Sequence, residues 1–137
     1  MNASALALLG YVVWLLVLLT ALIAQRVVVT ARTGKPANSY LPDGSDVSPF
    51  AQRLCGAHAN CIESAPFIVA PLLLALATGH TDVTDPLACV VLAARIAQAS
   101  VHLWSTSEAA VKLRAVFFIM QAAIAFYWTV ALSLRFV

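Results

Sequence analysis

Two sets of polar residues, each on an otherwise apolar stretch, carry whatever chemistry this chain performs. Arg53, Gly56, Asn60 and Glu63 fall at offsets of zero, three, seven and ten, and Arg95, Gln98, His102 and Ser105 repeat those offsets further along. On an α-helix of 3.6 residues per turn such offsets return to one face, so each set forms a stripe. Ionisable side chains on an apolar helix are costly in lipid and normally face the bundle interior or a wet cavity. The two stripes are therefore expected to face each other. Arg114 and Gln121, seven apart, put a third polar face on a later helix. The guanidinium groups of Arg32, Arg53 and Arg114 have no obvious acidic partners, and unpaired cations around a partly desolvated cleft suit an anionic ligand bearing carboxylates. The alternative is structural: Asn60 and Glu63 only bridge helices, and Arg32 and Arg114 meet anionic lipid headgroups.

The elements that must position these residues follow from composition. Of the 137 residues, 62% are hydrophobic and only 10% charged, with a mean hydropathy of +0.91. A soluble domain carries about a quarter charged residues. A bilayer span takes about 20 apolar positions, so four spans exhaust the chain as one membrane domain, 1–137. The expected fold is an all-α integral membrane four-helix bundle with spans near 3–26, 49–78, 86–105 and 109–135. Residues 3–24 carry no charge and are preceded by no basic segment, so they read as a retained span and not a signal peptide. Gly34, Pro36, Asn38, Pro42, Asp43 and Gly44 mark a first loop over 33–48. Ser48-Pro49 is an N-cap followed by proline at the first helical position, and Pro66 and Pro71 should bend the helix that follows. Gly79 to Asp85 reads as an acidic turn with Pro86 opening the third helix, and Ser107-Glu108 opens the fourth. Tyr127 and Trp128 suit interfacial anchors.

Charge distribution then gives an orientation. Arg26, Arg32, Lys35, Lys112 and Arg114 fall on the side of the first and third loops, which the positive-inside rule makes cytoplasmic, with both termini outside. At 1.5 Å rise per residue, Glu63 lies about 8 Å and Arg95 about 15 Å inside that edge, which makes a Glu63–Arg95 ion pair the simplest way to lower the cost of both. A net charge of +2 argues against a nucleic-acid partner. Cys55, Cys61 and Cys89 form no CxxC pair and indicate neither a disulfide framework nor a metal site.

The run Ala57-His58-Ala59-Asn60-Cys61-Ile62-Glu63, preceded by Arg53, resembles the second-helix signature of the MAPEG family, the membrane-associated proteins in eicosanoid and glutathione metabolism. The resemblance covers the whole chain: four hydrophobic segments, a polar first loop, Arg95 in the third helix and Arg114 opening the fourth. It implies a homotrimer in the lipid bilayer that binds glutathione as co-substrate between subunits, near the cytoplasmic leaflet. Asn60 and Glu63 would hold the glutathione backbone, Arg53 would sit at the outer edge, and Arg95 would pair with Glu63. Arg114 would match the arginine that favours the thiolate, and Arg32 a first-helix basic residue. The chain departs from the pattern in two places. Gly56 stands where the motif has arginine, and His102 stands where family enzymes often carry tyrosine. Lost donors at position 56 bear on glutathione affinity, and Gly56→Arg is expected to restore them.

The function implied is a glutathione transferase or peroxidase acting on lipophilic electrophiles or hydroperoxides that enter from the lipid. Thiol activation needs only a cation placed to favour thiolate over thiol, which Arg114 could supply. A non-catalytic accessory protein of the same fold is the alternative, with Gly56 marking a site that lost its chemistry. A small transporter would show an internal repeat, and the halves of the chain share none.

Overall fold

The computed structural model describes residues 2–136 and contains four long helices: α1 (Ala3–Thr33), α2 (Pro49–Thr78), α3 (Thr81–Trp104) and α4 (Glu108–Ser133). Each is long and apolar enough to cross a membrane. α1 packs on α2 and α3, and α4 packs on α3 and α2, so the α2–α3 pair forms the centre.

Local signals set most helix ends. Ser48 accepts from the Ala51 amide and Pro49 opens α2, while Ser107 accepts from the Ala110 amide at the head of α4. Both arrangements satisfy first-turn donors that have no partner inside the helix. Two ends differ from the sequence expectation. α1 does not stop near Arg26 but runs to Thr33, because the apolar Val27-Val28-Val29 continues it until Gly34, at φ 70°, caps it. The left-handed backbone there favours glycine and aims its N–H at the Thr30 carbonyl. α3 opens at Thr81 and not at Pro86, so Gly79 and His80 alone connect it to α2. Pro86 lies early in the helix, where its ring removes one backbone bond and the rest of the ladder continues.

The two ends of the bundle are held differently. At the terminal end, the Ser4 amide and hydroxyl both donate to Asp85 Oδ1, at 2.8 and 2.6 Å, and the Ser4 hydroxyl also meets Thr84 Oγ1 at 2.6 Å. Arg135 pairs with Asp82 at 2.6 Å, and His80 stacks edge-on with Phe136. Above this lies the larger apolar cluster, with Ala7, Tyr11, Ile68, Leu72, Ala88, Val91, Trp128 and Leu132. Trp128 is fully buried, which corrects its reading as an interfacial anchor, while Tyr127 is exposed. The tryptophan lies seven residues after buried Gln121 and so shares the inward face.

At the loop end the apolar cluster is thin, with Leu18, Leu54, Cys61 and Ala99 at its centre. The first loop folds back over it. Tyr40 Oη lies 2.9 Å from Thr30 Oγ1, with Arg26 and Lys35 over its ring at 5.7 and 5.1 Å. Gly44, at φ 72°, presses on the start of α2, where an added Cβ would meet Cys55 Sγ at 2.9 Å and Ala51 backbone at 3.0 Å. No larger residue fits that approach.

Candidate functional site

The two polar stripes meet across the α2–α3 contact. Arg53 Nε donates to the Leu103 carbonyl at 2.8 Å. Arg95 Nη1 and Gln98 Nε2 both donate to Asn60 Oδ1, at 2.8 and 3.0 Å. Gln121 Nε2 donates to Gln98 Oε1 at 2.9 Å, which extends the network to α4. Asn60 Oδ1 thus joins α2 to α3 through Arg95 and Gln98, and Gln98 Oε1 carries the link on to Gln121 of α4.

Arg95 is fully buried, and Asn60 is its acceptor. The expected Glu63–Arg95 ion pair does not form within the subunit. Glu63 is exposed, and among the described residues it takes part in no salt bridge. The reason is the helical period: an offset of ten residues at about 100° per residue leaves Glu63 about 80° away from Arg53 around the helix. Arg95 Nε and Nη2 are buried without hydrogen-bond partners, and its Cζ lies 6.0 Å from the Tyr11 ring centroid. Tyr11 donates to the Cys61 carbonyl at 2.6 Å, so its ring is fixed beneath the guanidinium as a cation–π partner. Sequence reasoning missed Tyr11 because it belongs to neither stripe. The available signal was its hydroxyl-bearing ring in a run of aliphatic residues.

Three cavities open around this network. A smaller one, of about 310 Å³, is lined by Asn60, Glu63, Gln98, His102, Arg114 and Phe118 among others. A larger one, of about 640 Å³, lies beneath the first loop and is lined by Asp43, Arg53, Cys55, Gly56 and His102 among others. The third, of about 460 Å³, lies on the α1 side and includes Arg26, His58 and Glu63. Of the residues singled out in the sequence, Asn60, Glu63, His102 and Arg114 come together in the smaller cavity. Arg53 lies in the larger one, Arg95 sits behind Asn60, and Arg32 is exposed in the last turn of α1 and lines none of the three. Arg26 is the α1 arginine that reaches a cavity.

Arg114 is half-buried, and its Nε has no hydrogen-bond partner. Its neighbour in the cavity, Glu63, is the one carboxylate there. A volume near 310 Å³ is at the lower end of what a small-molecule site occupies. The donor set, with one unpaired guanidinium, two amides and an imidazole, fits an anionic ligand, and Glu63 fits that ligand's cationic end.

Gly56 has a specific steric role. A Cβ at this position would fall 2.9 Å from His102 Nε2 and 3.0 Å from Cε1. Its backbone is ordinary helix, so the glycine is there for space and not for conformation. The imidazole of His102 occupies what a side chain at 56 would need. A Gly56→Arg side chain must therefore displace His102 before it can reach a ligand.

Outside the spans, Asp46 in the first loop is the group with a shifted acidity. A hydrogen bond from Lys35 holds its carboxyl below the usual carboxylate value, and the two charges lie 2.6 Å apart.

Four apolar helices around a buried polar network define a multi-pass integral membrane protein. The family model described as MAPEG family matches residues 4–134, nearly the whole chain, and the protein belongs to that family. No curated protein and no solved structure matches it.

Proposed function

We propose that this protein is a membrane glutathione transferase whose thiol site is the smaller cavity between α2, α3 and α4. The observation that carries the reading is the convergence there of Arg114, with an unpartnered Nε, and of Asn60, Gln98 and Glu63 from the facing helices. Glu63 receives the ammonium of the tripeptide, the amides of Asn60 and Gln98 orient its backbone, and Arg114 stabilises the thiolate over the thiol. The thiolate then attacks a lipophilic electrophile, such as an unsaturated carbonyl or a hydroperoxide, that partitions from the bilayer. The site lies at the cytoplasmic edge, with both termini on the opposite side of the membrane. Glu63 is exposed on a lipid-facing surface of the single subunit, and a homotrimer covers it, with Arg32 reaching the site of the neighbouring subunit. Native mass spectrometry showing only monomers would sink that assembly.

Calorimetric titration of glutathione into the detergent-purified protein tests the reading. Arg114→Ala should lower turnover more than it lowers affinity, because the arginine interacts more strongly with the developing thiolate than with the thiol. Absence of glutathione binding by the unaltered protein overturns the reading and leaves the accessory role.

A further inference from the structure

His102 is the one ionisable side chain that lines both the cavity under the first loop and the smaller cavity beside Arg114. It sits in the last turn of α3 and is half-buried, with its Nε2 edge turned to the gap left by Gly56. Glycine in a helix interior is less favourable than alanine. The chain accepts that cost at a position of ordinary helical backbone, and what it gains there is room for an imidazole edge. Neither ring nitrogen donates to or accepts from another described residue. The titratable and charged groups around the ring are Arg53, Cys55 and Glu63 on α2, Asp43 in the first loop and Arg114 on α4. Arg53 Nε is already committed to the Leu103 carbonyl, which fixes that guanidinium at the wall of the larger cavity.

We propose that His102 is the proton carrier of the thiol reaction, which rests on the glutathione reading above. In the smaller cavity the neutral imidazole accepts the proton of the bound thiol, giving thiolate and imidazolium, while Arg114 holds the sulfur's charge. The sulfur then forms a bond to the β-carbon of an unsaturated carbonyl. The carbon–carbon π pair shifts to the bond between the α-carbon and the carbonyl carbon, the carbonyl π pair moves onto oxygen to give an enolate, and the α-carbon takes the proton back from the imidazolium. One S–H bond and one π bond are lost, one C–S and one C–H bond are gained, and no oxidant or reductant is consumed. Arginine alone can stabilise the thiolate but cannot return a proton near neutral pH, since its guanidinium does not deprotonate in proteins. A side chain that titrates near the operating pH can do both.

The test counts protons on the full chain in detergent. Glutathione is titrated while thiolate absorbance and pH-indicator absorbance are followed together. S-methylglutathione, which has no thiol proton, gives the contribution of the amine and carboxylates for subtraction. With His102 as acceptor, thiolate forms with little proton release to the buffer, and His102→Gln raises the release toward one proton per thiolate. With nonenal as the electrophile, His102→Gln should lower kcat by about 100-fold and remove the acid limb of its pH profile, with KM for glutathione little changed. Gly56→Ala, which pushes a methyl group against the ring, should give a smaller loss of the same kind.

A full proton released per thiolate in the unaltered protein overturns the proposal, and this result needs no variant to fold. Unchanged turnover and pH profile in His102→Gln overturn it as well, leaving thiol transfer intact and His102 as a packing residue. If the unaltered protein binds no glutathione, the parent reading fails and the proton role falls with it.

Discussion

The two ends of this bundle solve the same problem in opposite ways. At the terminal end, Ser4, Thr84 and Asp85 close a polar cluster in which each side chain finds a partner, and Arg135 meets Asp82. Toward the loop end, Arg95 is buried with two nitrogen atoms unmatched, Arg114 Nε is unmatched, and Gln121 Oε1 has no donor, whereas the terminal-end cluster leaves the Trp128 indole nitrogen unmatched. Buried polar groups left without partners destabilise a fold, since each forfeits its hydration. An end largely completed locally holds the fold together, whereas at the other end Arg114 lines a cavity in which a ligand would supply its missing partner. Apolar packing follows the same division, with the larger cluster near the termini and the smaller one under the first loop.

The comparison breaks first at Asn60. Its single side-chain oxygen accepts from both Arg95 and Gln98, so Asn60→Leu leaves a buried guanidinium with no acceptor. The loss should be on the order of 3–5 kcal/mol, as for other uncompensated buried charges. Unfolding in mixed detergent should show it, and Asn60→Leu with Arg95→Met should recover much of the difference. Glu63→Gln should stay within about 0.5 kcal/mol of the unaltered protein, as a surface substitution does. Strong coupling between Glu63 and Arg95 in a double-mutant cycle would restore the ion pair that the geometry lacks.

The terminal end is next. Ser4→Ala removes one hydroxyl that serves Thr84 and Asp85 together, and the cost should be about 1–3 kcal/mol. A loss well below that would mean that this end is no better completed than the other. In the reverse direction, Arg114→Met replaces an incompletely paired cation with an apolar chain. It should raise stability by about 0.5–1 kcal/mol while impairing the site, the exchange expected where a functional group is held at a cost to the fold. A stability loss from Arg114→Met would make this arginine structural.

What could be read from the sequence follows the range of the interaction concerned. The Ser48-Pro49 and Ser107-Glu108 starts are local, set within one turn, and the helices begin there. The facing of the two stripes was legible because a period repeated on two apolar segments admits few other burials. The acceptor of Arg95 was not, since Asn60 and Glu63 differ by about 60° around the helix and only the crossing of α2 with α3 decides between them. Pro86 misled because proline is most at home in a first turn, and here the backbone tolerates it a turn later. The meaning of Gly56 lay in a contact with a residue 46 positions away, and a missing side chain leaves no trace of what fills its space.

The smallest expected effect concerns the first loop, which lies over the less complete end. Lys35 and Asp46 close it with a 2.6 Å ion pair near the surface, and the hydrogen bond from Lys35 holds the Asp46 carboxyl below its ordinary value. A depressed folded-state value contributes stability above the unfolded carboxylate pKa, about 4, and that contribution is lost as pH falls through the lower folded value. Between pH 5 and 8 the loop should therefore be insensitive to pH through this pair, and it should loosen only in stronger acid. Asp46→Asn should reproduce the acid behaviour at neutral pH. Amide hydrogen exchange over residues 34–48 reads this directly, with faster exchange expected in the variant and unchanged protection in α3. Because Gly44 and Tyr40 also pin the loop to α2 and α1, exchange should quicken without the loop detaching. If Asp46→Asn instead exposed the whole segment, the ion pair would be the main fastening of the loop end, and the cavity beneath it would depend on a contact that high salt weakens.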